Sequence, residues 1–97
     1  MKGGVKKEIK IELPSNLEPV FSNMIQITHK DDEFCLTFVH IMPNVNVGKV
    51  KAVVSITPQH AKRLLKALKE NIEKYEKIYG EIKLVEETKR HEGVEFA

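Results

Sequence analysis

Apolar and charged residues alternate over residues 5–13. Val5, Ile9, Ile11 and Leu13 fall on one side, and Lys6, Glu8, Lys10 and Glu12 on the other. That period predicts a half-buried strand with a charged outer face, adding to the edge of a sheet. Pro14-Ser15-Asn16 ends it, and Pro19 marks a second boundary.

The next two apolar runs, residues 20–29 and 34–42, flank Lys30-Asp31-Asp32-Glu33. A hairpin closed by Asp31-Asp32 sets Lys30 against Glu33, Ile27 against Leu36, Ile25 against Phe38 and Phe21 against Met42. All the apolar members then share one face, and a slip of one residue would turn one strand's apolar set outward. Asp-Asp is a poorer tight turn than Asn-Gly, so a longer turn is the alternative. Pro43 to Gly48 reads as a loop. Residues 49–56 alternate again, with Val50, Ala52, Val54 and Ile56 expected inward, Val54 near Phe38, Ile56 near Leu36, and Ala52 across from His40.

A helix follows. Thr57 suits an N-cap and Pro58 the first helical position. Ala61, Leu64, Leu65, Leu68, Ile72, Tyr75 and Tyr79 recur at spacings of three and four, an apolar stripe expected to cover the sheet's inner face. Glu70–Lys74 and Glu73–Lys77 are favourable pairs on the outer side. Gly80 fits the C′ position. The predicted fold is α+β: an antiparallel meander of about four strands packed on one long C-terminal helix, about residues 58–79. Residues 1–85 form one domain, and 86–97 a charged tail whose end could dock as a short strand.

Composition narrows the picture. Hydrophobic residues are 41% and charged residues 31%, which suits a globular chain rather than a disordered one. The net charge of +2 is too small to imply nucleic acid by itself. A lone cysteine, Cys35, precludes an internal disulfide and suits a reducing compartment, so a cytoplasmic location is expected. Met1 to Val5 lacks the apolar core of a signal peptide, and no apolar run approaches a membrane span.

Phe21-Ser22-Asn23, Glu33 to Phe38, Pro43 and Thr57-Pro58-Gln59-His60-Ala61-Lys62 form a recognisable series. It continues with Leu65, Leu68, Asn71, Tyr75-Glu76 and Gly80-Glu81-Ile82. On these residues, roughly 20–82, the chain resembles a small prokaryotic family known only as a domain of unknown function. The resemblance implies the same segmentation into strands and helix, and no mechanism. The layout of strands first and helix last is also similar to that of the bacterial export chaperone SecB.

Three groups of residues are candidates for function. Met24, Cys35, Val39, Ile41 and Val53 lie on the sheet face that one helix cannot reach, and an apolar face of this kind predicts an oligomer interface, with a two-fold dimer favoured. His60, Lys62, Arg63, Lys66 and Lys69 form a cationic first half of the helix, where an anionic partner could meet a helix N-terminus; a solvated face is the plainer reading. Asn23 and His40 face each other in the hairpin register as a candidate buried polar pair, or simply a satisfied core histidine.

The spacings of His29, His40, His60, His91 and Cys35 match no zinc pattern, so no metal or cofactor is expected. No nucleophile has an assignable base. The expectation is therefore a non-enzymatic, oligomeric protein-interaction module. A SecB-like binder of unfolded chains is one alternative. An accessory nucleic-acid or phosphate binder is the other, with weak support because aromatic interleaving is missing from the basic face.

Overall fold

The computed structural model describes residues 7–85 and 95–97. Three strands come first: β1 (Met24–Lys30), β2 (Glu33–Ile41) and β3 (Gly48–Ile56). Helix α1 (Pro58–Tyr79) follows, then β4 (Glu95–Phe96). The strands form one antiparallel sheet in the order β3-β2-β1-β4. This is the expected α+β arrangement of a four-stranded sheet and one long helix.

The β1–β2 hairpin has the register its apolar residues require. Lys30 is opposite Glu33, Ile27 opposite Leu36 and Ile25 opposite Phe38. Asp31-Asp32 closes it in two residues. Among the described non-glycine residues only Asn46 has positive φ, so both aspartates stay in the right-handed half of backbone space. The turn is therefore not one of the primed types that Asn-Gly would favour.

The β2–β3 pairing departs from expectation. Met42 donates its N–H to the Val47 carbonyl at 3.1 Å, which closes the loop and sets Ile41 opposite Gly48. Val39 then faces Val50. A bulge between Phe38 and Val39 leaves Lys51 as the extra residue, and beyond it Phe38 faces Ala52, Leu36 faces Val54 and Phe34 faces Ile56. Val54 and Ile56 thus each lie two residues along β2 from where the sequence placed them. The bulge also moves Val50 to the face that carries Val39.

Local chemistry sets the ends of α1. The Thr57 hydroxyl accepts from the His60 N–H at 3.1 Å, and Pro58 follows the cap. At the other end Gly80, at φ 100, donates its N–H to the Glu76 carbonyl at 2.9 Å. Glu76 Oε2 accepts from the Ile82 N–H at 2.9 Å and ties down the chain beyond the helix.

Two expectations are corrected. Residues 7–13 form no strand, and Ile11 is 89% exposed. The β1 edge that they could have joined is taken by β4: Ile25 and Ala97 exchange two backbone hydrogen bonds of 2.7 Å, and Gln26 faces Phe96. Val5 and the charged run over 86–93 lie outside the described residues.

The second correction concerns cover for the helix. α1 has no buried residue. Leu65 is 69% exposed, Leu68 53% and Tyr79 71%. One residue joins β3 to α1, and Thr57 holds an extended φ of −73° and ψ of 158°. The helix therefore leaves the edge strand without room for a loop to fold it back flat on the sheet. Among the described residues Val39 alone forms the buried core, at 6% exposure.

Candidate interaction surfaces

β1, β2 and β3 bring Met24, Cys35, Val39, Ile41 and Val53 to one face, as alternation along the strands requires. Met24 and Val50 flank Val39 on either side. Val39 is buried because Gly48 gives it space: a Cβ at Gly48 would lie 2.8 Å from Val39 Cγ1. The Ser22 hydroxyl donates towards the Met24 and Val39 carbonyl oxygens, at 2.9 and 3.0 Å, and pins the open end of this face. Cys35 is a half-buried free thiol, while Val50 and Val53 are exposed. Sequence reasoning missed Val50, because the alternation runs unbroken through Lys49-Val50-Lys51-Ala52 and nothing in it announces a bulge.

Asn23 and His40 do not form a buried polar pair. Asn23 is exposed and spends its side chain on Ile41: Nδ2 donates to the Ile41 carbonyl at 3.1 Å and Oδ1 accepts from the Ile41 N–H at 2.8 Å. The amide thus imitates one more rung of the ladder. His40 lies edge-on to Phe21, with ring centroids 5.2 Å apart, and faces Lys49 of β3 rather than Ala52. Register and bulge share the cause: the β2–β3 pairing is two residues off the expected register, and the bulge adds one more before His40.

His60, Lys62, Arg63, Lys66 and Lys69 are all exposed along the first half of α1. Helical spacing puts Lys62, Arg63, Lys66 and Lys69 on a broad outer face and His60 away from it. The first turn has no acidic residue, and the Thr57 cap occupies one of its free N–H groups. The second half of the helix changes sign, with Glu70, Glu73 and Glu76 against Lys74 and Lys77. The Tyr75 and Tyr79 rings meet at 4.8 Å near its end.

Among the described residues no helix is long and apolar enough to cross a membrane. No curated protein and no solved structure matches the chain. The family described as "Protein of unknown function (DUF3467)" matches residues 1–84. The chain belongs to the DUF3467 family. The match is wider than the resemblance read from residues 20–82, since it takes in the unpaired segment 7–13. In this DUF3467 chain the family region contains β1 to β3 and all of α1, and it ends before β4. Membership brings a shared fold region and no assigned activity.

Proposed function

We propose that this DUF3467 chain is a non-enzymatic interaction module that completes its core against another polypeptide, a second copy first of all. One observation carries this reading: α1 has no buried residue, and Leu65, Leu68 and Tyr79 on it and Val50 and Val53 on the sheet are each more than half exposed.

This surface is apolar and lies on two regular elements, the α1 stripe and the sheet face around Val50 and Val53. A standard protein interface takes about 800 Å² from each partner, and obligate dimers take more. Apolar area of this extent on a globular chain favours a partner over solvent. The lone thiol at Cys35 suits a reducing compartment, which supports a cytoplasmic location.

Sedimentation equilibrium at micromolar concentration tests the proposal. The expected result is a mass of at least twice 11.1 kDa. A folded monomer over the whole accessible concentration range would overturn it.

A further inference from the structure

The oligomer reading says that a second copy covers apolar surface, and the residues of α1 say how. We infer that α1 pairs with α1 of a second copy, antiparallel across a two-fold axis, through the stripe from Ala61 to Tyr79. The inference rests on the proposed oligomer and adds its geometry.

Apart from Leu64, whose counterpart is Glu76, the stripe is symmetric about position 70. Ala61 and Tyr79 are equally far from it, as are Leu65 and Tyr75, and Leu68 and Ile72. An antiparallel partner centred there sets Ala61 against the partner's Tyr79. It likewise sets Leu65 against the partner's Tyr75, and Leu68 against the partner's Ile72. The smallest residue of the stripe meets the largest, and two medium aliphatic residues meet at the centre. A parallel partner would stack each residue near its own copy and put both tyrosine pairs at one end.

Charge selects the same arrangement. Lys62, Lys69 and Glu76 are spaced by seven, and Glu73 follows Lys69 by four, so all four lie along one flank of the stripe. A two-fold axis perpendicular to both helices brings this flank against the same flank of the partner. Lys62 then lies beside the partner's Glu76, and Lys69 beside the partner's Glu73. Each pair is offset by only two residues, about 3 Å along the axis, well within reach of these side chains. The Glu76 carboxylate already accepts from Ile82, and a carboxylate has capacity for further donors. A parallel pair would instead turn this flank towards the partner's opposite flank, and Lys62 and Lys69 would lose the partner's Glu76 and Glu73. It would also align the two helix dipoles, which the antiparallel pair opposes.

The flank beyond the other side of the stripe, with Ala67, Asn71 and Ile78, carries His60 and Lys74 and no carboxylate, and in the antiparallel pair the two copies of Lys74 stand eight residues, about 12 Å, apart along the axis. Asn71 is turned inward on its own helix and donates to the Ala67 carbonyl at 3.0 Å. The cationic first half of α1 is thus matched by the anionic residues of a second α1, and no nucleic acid is needed to account for Lys62 and Lys69.

A charge-swap experiment tests this. Variant K62E/K69E and variant E73K/E76K each turn all the paired charges into repulsive ones in a homodimer. Mixed one to one, they restore every pair in the heterodimer. Sedimentation equilibrium at low ionic strength should show each variant alone associating about tenfold or more weakly than the native chain. The mixture should return to near-native affinity. Both variants place charge favourably for the helix dipole, so loss of α1 is not the expected cause of weakening. Far-UV circular dichroism checks this, with attention to E76K, which gives up the bond to Ile82.

A native oligomer whose affinity ignores both variants would overturn the helix pairing and leave the oligomer standing, with the stripe covered by a partner's sheet instead. Weakened variants whose mixture shows no recovery would also overturn it. A native chain that is monomeric removes the oligomer itself.

Discussion

A Cβ built at Gly48 would come within 2.8 Å of Val39 Cγ1 and 3.8 Å of Ile41 Cγ1. Val39 is also the residue that the sheet buries best. The missing methyl group at Gly48 lets β3 start close against β2, and Val39 fills the space. Gly48→Ala should therefore force Val39 from its position and cost roughly 1–3 kcal/mol, the range for overpacking a filled site. Urea unfolding measures it, and a change below a few tenths of a kcal/mol would mean that Val39 moves aside freely. Asn23 shows a different economy at this scale. Sequence gave reason to pair it with His40, because both were polar and in register. The amide instead serves the Ile41 backbone, whose N–H and C=O present a donor and acceptor at the spacing an amide matches. Register predicts which residues are neighbours, and hydrogen-bonding geometry decides which atoms they use.

At the scale of elements, α1 and the first hairpin were legible in the sequence because their determinants are local. Thr57-Pro58 and Gly80 fix the helix ends wherever the helix goes. In the hairpin, opposing apolar residues and the Lys30–Glu33 pair, 4.0 Å apart, leave one register that satisfies all of them. The segment 7–13 failed for the opposite reason. Its alternation is consistent with a strand, but alternation names no neighbour, and β4 holds the edge. The bulge at Lys51 was hidden because a bulge depends on the partner strand and loop closure, not on the bulged residues themselves. It makes β3 tolerant in an unusual place. Deleting Lys51 keeps Val50 opposite Val39 and Ala52 opposite Phe38, and so should cost only about 1 kcal/mol. Deleting Val53 inverts part of the strand and should cost several kcal/mol more. Thermal or urea unfolding of the two deletions compares them directly, and equal costs would refute the bulge.

For the whole molecule, the gap between sequence and structure concerns cover rather than form. Periodicity identified the stripe on α1 correctly as apolar, and it could not say which surface hides it. The structure leaves that stripe exposed, as it does Val50 and Val53 on the sheet. With Val39 as the buried residue among those described, the fold gains little of the burial that normally offsets conformational entropy. With the proposed second copy, its stability should rise with concentration, since association and folding would be coupled by mass action.

Inside a cell, that small private core among the described residues should, on the proposed association, make a newly made chain perishable until it meets another. Proteases act on opened, apolar segments, and an unpaired chain offers Leu65 and Tyr79 from the outset. Clearance should then fall as supply rises, because a growing share of chains is sheltered. Steady-state abundance should climb more steeply than synthesis rate, and pulse–chase labelling at graded expression should show lifetimes lengthening with dose. A lifetime constant across doses would show that the lone chain already protects itself.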